Sequence, residues 1–252
     1  MPSRDEVLAK AVELVDLAQK AGITLRLLGS AAVGLHCPRH AHLQAALGRP
    51  ITDLDFLAPG KDNRQVREFL VGRGCIPDEE VFTYFGKSRH VYRYPDISLQ
   101  VDIFFDELSF CHAVDFRNRL HLDSPTITAT DILLEKMQII KINLKDLIDT
   151  TILLLDHPVE SHDNDAINVA YLISLLQKDW GFWYTFNLNL EKVRRYSQEL
   201  ATITREEKDL VEARVDEIGK ALAGCPKTVQ WRLRQRIGTR ARWYNEVDEA
   251  EY

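Results

Sequence analysis

The sequence lacks the features of a membrane, secreted or disulfide-stabilised protein. No apolar run approaches the roughly 20 residues that a membrane-spanning helix needs. The first residues, 1–6, carry no apolar stretch of the kind found in signal peptides. The 4 cysteines are scattered and form no Cys-x-x-Cys pair, as is usual in a reducing compartment. We therefore expect a cytoplasmic protein that makes no membrane contact.

Composition and charge place the chain among ordinary globular proteins. It has 252 residues, 45% of them hydrophobic and 28% charged, so it can bury a core without disulfides or structural metals. The formal net charge of −6 argues against a surface that grips nucleic acid everywhere, but it allows a local basic patch.

One segment near the end is strongly basic. Residues 227–242 contain six Lys or Arg and no acidic residue, and Trp243 and Tyr244 follow. The segment either contacts an RNA backbone and stacks bases, or forms a solvated helix whose arginines pair with acidic neighbours. The acidic residues of the tail that offer such pairs are Glu246, Asp248, Glu249 and Glu251.

Hydrophobic patterning predicts an α+β protein: a mixed sheet flanked by helices, followed by an all-helical region. We place the α/β core in residues 1–125 and the helical region in residues 126–252. An amphipathic pattern predicts a helix over 4–20. The predicted strands are 24–28, 51–57, 81–85, 89–94 and 99–105.

Three carboxylates lie in predicted strands. Because side chains alternate between the faces of a strand, Asp53 and Asp55 share one face of 51–57, opposite Leu54 and Phe56. Asp102 lies in an otherwise apolar strand, where an isolated carboxylate is costly to desolvate unless it meets a cation. If the two strands are neighbours, three carboxylates converge, and Mg²⁺ is the expected partner of such oxygen ligands.

A turn at Gly29-Ser30 precedes these carboxylates. A short apolar strand ends at this turn, and small residues then begin a helix. Backbone N–H groups at a helix start, together with a serine hydroxyl, favour an anion. Glycine also allows a phosphate to approach the backbone closely. Neither the P-loop nor the dinucleotide-binding glycine spacing is present.

This order of features resembles the polymerase-β-like nucleotidyltransferase superfamily, whose pattern is a strand with Gly-Ser, an Asp-x-Asp and a third Asp on a later strand. Arg49 precedes the Asp-x-Asp, as in small, antibiotic-type members. The segment from Leu122 to Asp149, which includes Lys136 and Asp146, resembles the second half of the AbiEii-type toxin nucleotidyltransferases. The resemblance covers residues 24–150.

The resemblance implies a role for each matched residue. Gly29 and Ser30 would bind the nucleotide phosphates, and Lys136 would neutralise phosphate charge. The metal ligands for one or two Mg²⁺ ions, and the catalytic set, would be Asp53, Asp55 and Asp102. Asp146 and Asp149 are open to a structural role as helix caps or ion-pair partners.

The resemblance also implies a function. The protein would be a Mg²⁺-dependent nucleotidyltransferase, an enzyme that moves a nucleoside monophosphate from a nucleoside triphosphate, such as ATP, to a hydroxyl. The acceptor would be RNA such as tRNA, a protein or a small molecule. The alternative is a non-catalytic binding protein of the same fold or a toxin–antitoxin component, the latter with a partner protein.

Overall fold

The computed structural model describes residues 3–95 and 99–247. Over these residues the chain divides into two compact units. The first unit comprises Met1–His36, Pro50–Leu108 and Val114–Ile127; the second comprises Cys37–Arg49, Ser109–Ala113 and Thr128–Tyr252. Segments 37–49 and 109–113 thus belong to the second unit, although both precede the boundary that the sequence pattern places at residue 125.

A five-stranded mixed sheet forms the centre of the first unit. Its strands are β1 (Arg26–Leu28), β2 (Asp53–Ala58), β3 (Ile76–Pro77), β4 (Arg89–Tyr94) and β5 (Leu99–Phe105). They are arranged in the order β1-β2-β5-β4-β3. β2 and β5 are parallel neighbours, whereas the other pairs are antiparallel. The chain must therefore cross over between β2 and β5, and that connection contains β3, β4 and the helices Asn63–Val71 and Glu79–Phe85.

The helices of the first unit are α1 (Arg4–Lys20), α2 (Gly29–His36), α4 (Asn63–Val71) and α5 (Glu79–Phe85), and α3 (His42–Ala46) is in the second unit. α1 has the predicted bounds. It begins with a capping box, in which Ser3 accepts from the Glu6 N–H while the Glu6 carboxylate accepts from the Ser3 N–H.

The expected strand at 81–85 is wrong. These residues belong to α5, although Val81, Phe82 and Tyr84 favour strands. The reason is a helix cap: Asp78 accepts hydrogen bonds from the N–H groups of Glu80 and Val81, at 3.0 Å each. Two glutamates in the first turn add a favourable interaction with the helix dipole.

The second unit is mostly helical. Its helices besides α3 are α6 (Ala129–Met137), α7 (Leu144–Asp156), α8 (Val169–Leu176), α9 (Trp180–Glu199), α10 (Arg205–Gly224) and α11 (Val229–Ile237). The chain also forms two short strand pairs, β6 (Glu107–Ser109) with β7 (Ala113–Asp115) and β8 (Val159–Glu160) with β9 (Ile167–Asn168), and two 3-10 helices, Gly60–Asp62 and Gly238–Arg240. The predicted α+β class, a mixed sheet followed by a helical region, is confirmed. Of the helices in the described ranges, none has both the length and the apolar character to cross a bilayer.

A buried histidine ties the C-terminal segment to α9. Trp243 donates its indole N–H to the Thr185 hydroxyl, 3.1 Å away, and that hydroxyl lies 2.8 Å from His112 Nε2. His112 also stacks on Phe182, with ring centroids 5.0 Å apart. Burial lowers the pKa of His112 from 6.5 to about 4, and the nearby carboxylate of Asp179 opposes this shift only in part. The ring is therefore neutral in the folded protein at pH 7.

This neutral histidine predicts a loss of stability in mild acid. Between pH 6.5 and about 4 the unfolded chain binds a proton at His112 that the folded chain does not. The free energy of unfolding should therefore fall as pH drops through this window, by up to about 3 kcal/mol from this group. Denaturant titrations at a series of pH values measure this change in the free energy of unfolding. His112→Gln should flatten the wild-type slope, while His162→Gln, at an exposed histidine, should leave it unchanged.

Candidate functional site

The candidate site is one polar face of the five-stranded sheet. In the register of the parallel pair β2–β5, Asp55 is opposite Asp102 and Asp53 is opposite Gln100. Because directly paired residues project to the same side, all four side chains share this face. The other face is apolar: Leu54, Phe56, Val101 and Ile103 are completely buried. The sequence predicted this alternation in both strands, but it left open whether the two strands are neighbours, which they are.

The turn at Gly29 holds the start of α2 against Asp55. Leu28, the last residue of β1, is paired with Asp55, and α2 begins at the next residue. Gly29 has φ +67°, and a Cβ at this position would lie 2.6 Å from Asp55 Oδ2. The positive end of a helix dipole stabilises a carboxylate placed there. Glycine is therefore needed at residue 29 both for its backbone conformation and for the approach of Asp55. Ser30 follows within α2 and is buried.

Asp102 meets a cation, and that cation is an arginine. The guanidinium of Arg89, in β4, donates from Nε to Oδ1 at 2.9 Å and from a terminal nitrogen to Oδ2 at 2.8 Å. Gln100 donates a third hydrogen bond to Oδ2, 3.1 Å away. Asp102 is only 4% exposed, and burying its charge costs free energy. The bidentate pair with Arg89 offsets much of that cost.

In this structure the three predicted metal ligands are not gathered around one point. No set of three oxygens, one each from Asp53, Asp55 and Asp102, lies within 4.8 Å of one another. Asp53 and Asp55, which are partly exposed, fit a divalent cation by their chemistry and their shared face. Asp102 fits one only if its pairing with Arg89 changes. The assignment of all three to Mg²⁺ therefore stays a prediction.

Arg89 and Gln100 are functional candidates that the sequence reasoning missed. A usable signal was present: alternation in β4 places Arg89 on the face opposite the buried His90 and Tyr92. The pattern also required a cation for Asp102. What the sequence did not provide was the antiparallel register that pairs β4 with β5.

A cavity of about 400 Å³ adjoins this face. Val91, Arg93 and Gln100 line it, and by strand alternation they project to the same side as Asp102. The other lining residues lie in or beside β3, β4 and β5: Ile76, Pro77, Asp78, Tyr92 and Leu99. The volume is in the range of pockets that hold small molecules.

Lys136 lies in the second unit, in a buried ionic cluster. Its ammonium is 3.1 Å from both Glu135 and Asp146 and 3.5 Å from Asp149, and Arg49 bonds to Asp149 at 3.0 Å. Burial alone would lower the pKa of Lys136, but the three carboxylates raise it well above its usual range. Two cations thus face three carboxylates, which gives Asp146 and Asp149 a structural role. The phosphate-binding role of Lys136 stays a prediction.

Comparison with known proteins adds one distant likeness. No protein-family model matches this chain, and neither does any curated protein. The structure is similar to a crystal structure of an antigenic nucleotidyltransferase-like protein from Paracoccidioides brasiliensis, with 12% identity and a TM-score of 0.39. The match covers 90% of this chain and 96% of that chain. A similarity at this level establishes neither a family nor an activity.

Proposed function

We propose that the polar face of the sheet binds a nucleoside triphosphate with Mg²⁺ and transfers its nucleoside monophosphate to a hydroxyl acceptor. The observation that carries this proposal is the parallel pairing that sets Asp55 opposite Asp102, with Asp53 on the same face and Gly29 against Asp55. The carboxylates of two adjacent strands provide oxygen ligands for a hard cation. The start of the neighbouring helix provides backbone N–H groups for an anion. The cavity next to Gln100 offers room for a base or a small acceptor.

In the proposed reaction the acceptor oxygen forms a bond to the α-phosphorus. The bond from that phosphorus to the oxygen bridging to the β-phosphate breaks, and pyrophosphate leaves. The acceptor proton passes to a carboxylate of the face, a role that the resemblance gives to Asp102. Asp53 and Asp55 would hold the metal, which supplies positive charge to the phosphate oxygens. The backbone at Gly29 and Ser30 would position the phosphates.

Arg89 has a defined place in this proposal. The guanidinium now supplies the positive charge that Asp102 needs. When a nucleotide binds, its phosphates are a second anionic partner that arginine forks bind well. We propose that Arg89 exchanges Asp102 for phosphate, which frees the carboxylate for the metal and the acceptor.

Labelled nucleotides test the transfer. Each triphosphate, labelled at the α-phosphate, is incubated with Mg²⁺ and with bulk tRNA, the protein itself or a set of aminoglycosides as acceptors. Label should enter one acceptor with release of pyrophosphate, and γ-label should not. Asp53→Asn should abolish the transfer, whereas Asp16→Asn, at an exposed aspartate of α1, should not change it. Transfer that survives in Asp53→Asn would contradict the assignment of this face.

The Arg89–Asp102 pair favours a second function, nucleotide binding without transfer. Both oxygens of the Asp102 carboxylate already accept hydrogen bonds from Arg89, so they are less available to a metal or to an acceptor hydroxyl. In that case nucleotides bind with Mg²⁺ but no α-label moves to any acceptor and no pyrophosphate is released. The same assay therefore separates the two functions.

A further inference from the structure

α11 exposes an apolar stripe. Val229, Leu233 and Ile237 are spaced four residues apart, so they lie along one side of this helix. They are 65%, 56% and 48% exposed. Single exposed aliphatic residues are common, but three in register on one short helix form a continuous patch. The helix is anchored from its other side by Trp231, which is buried against Trp183.

A stripe of arginines runs beside the aliphatic one. Arg232 and Arg236 each follow a stripe residue by three positions and are exposed, as is Arg240 just beyond the helix. None of these three arginines has an ion-pair partner within residues 3–95 and 99–247. Arg242 does pair with Glu246, at 2.9 Å, as the sequence suggested. The other acidic candidates, Asp248, Glu249 and Glu251, lie outside the described residues.

Arg234 differs from its neighbours because it is structural. Its guanidinium donates to the carbonyl groups of Gly238, Ala241 and Arg242 at 2.7–3.2 Å and lies 4.9 Å from the ring centroid of Trp180. It therefore holds the chain that follows α11, and it is not available to a partner.

A cavity of about 470 Å³ continues the apolar stripe. Leu233 and Ile237 line it on one side, and Trp180 and Trp243 contribute its aromatic wall. Trp180 is itself buried, stacked on Tyr184 with ring centroids 5.0 Å apart. Since its ring is already packed inside the unit, it cannot serve as a free platform for a nucleobase. An aliphatic stripe that continues into a recess with room for apolar side chains fits a protein partner better than RNA.

We propose that this surface of α11, defined by Val229, Leu233, Ile237, Arg232 and Arg236, docks an acidic amphipathic helix of a partner protein. Charge complementarity specifies the partner: residues 227–242 carry six cationic and no acidic side chains, in a chain whose net charge is −6. The aliphatic stripe favours a partner helix whose apolar residues are three and four positions apart, because this spacing forms the apolar face that an amphipathic helix buries in a groove. Asp and Glu beside those residues would meet the two arginines.

Peptide selection on the full chain tests this proposal. A displayed library of random peptides of about 16 residues, long enough for four helical turns, is selected on the wild-type protein and counter-selected on Leu233→Ser/Ile237→Ser. The enriched peptides should carry large apolar residues at helical spacing together with Asp or Glu. One of them is then synthesised with a fluorophore, and its affinity is measured by anisotropy.

The affinity of that peptide should fall about tenfold or more in Leu233→Ser/Ile237→Ser and also in Arg232→Gln/Arg236→Gln. Leu210→Ser, at an exposed leucine of α10, should change nothing. All these side chains are exposed, and unchanged melting temperatures confirm that the variants fold. Oligouridine RNA is the comparison. If no acidic apolar motif is enriched, or RNA binds as tightly and only the arginine variant weakens it, the surface is not a helix-docking site.

Discussion

Gly29→Ala is expected to abolish nucleotide binding while leaving the protein folded. Alanine at this position has to adopt φ near +67°, and its Cβ would lie 2.6 Å from Asp55 Oδ2, far inside van der Waals contact. The start of α2 and the carboxylate of Asp55 must move apart. The backbone strain together with the clash should cost roughly 2–4 kcal/mol of unfolding free energy.

Gly22→Ala is the matched control. Gly22 also has a positive φ, +76°, but nothing lies within 4 Å of the position that a Cβ would take. The Gly22→Ala variant should lose only the free energy of the backbone strain, about 1–2 kcal/mol of unfolding free energy. It should bind nucleotide like the wild type. Calorimetric titration with each Mg²⁺–nucleotide and thermal melting separate the two effects. Equal nucleotide affinity in Gly29→Ala and Gly22→Ala would remove Gly29 from the site.

Arg89→Ala is expected to destabilise the first unit strongly in the absence of ligand. It removes the cation from a carboxylate that is 4% exposed. Among the side chains of the described residues, Gln100 is then the one that still donates a hydrogen bond to Asp102. Breaking a buried pair on one side typically costs about 3–5 kcal/mol, and because Arg89 is itself partly exposed we expect about 3 kcal/mol. For a chain of this size that corresponds to a fall in melting temperature of roughly 6–12 °C.

Arg93→Ala provides the control, since Arg93 lies on the same strand and face but is exposed. Its effect should stay within about 0.5 kcal/mol. A further arm adds Mg²⁺ to Arg89→Ala. Recovery of melting temperature that is specific to this variant supports Asp102 as a metal ligand. No loss of stability in Arg89→Ala would mean that the pair does not hold Asp102 in solution.

Local signals accounted for much of the fold. Alternating side chains predicted β5 with its observed bounds, and helical spacing predicted α1 in the same way. The failure at α5 has the same local origin: β-branched and aromatic residues suggested a strand, while the Asp78 cap decided for a helix. In this segment, residue propensity favours a strand and the helix cap favours a helix, and the structure is a helix.

The contacts that the sequence did not predict depend on pairing between residues that are distant along the chain. Asp102 required a cation, but the requirement does not distinguish a metal ion from a guanidinium. The antiparallel register of β4 and β5 brings Arg89 to it, and register depends on the whole sheet. Likewise, Arg49 lies only four residues before the first Asp of the Asp-x-Asp strand, yet it belongs to the second unit, where it bonds to Asp149. Nothing local to residue 49 reports a partner one hundred positions away.

Nucleotide-dependent melting of the wild type and of Asp53→Asn tests the central claim most directly. ATP, GTP, CTP and UTP are each added with and without Mg²⁺, and Asp16→Asn serves as the control. Ligand at about 100 times its Kd stabilises by about 2.7 kcal/mol, which should raise the melting temperature by roughly 5–10 °C. We predict a Mg²⁺-dependent rise with at least one nucleotide, retained in Asp16→Asn and lost in Asp53→Asn. A rise of the same size in Asp53→Asn, or none with any nucleotide, would contradict a nucleotide site on this face.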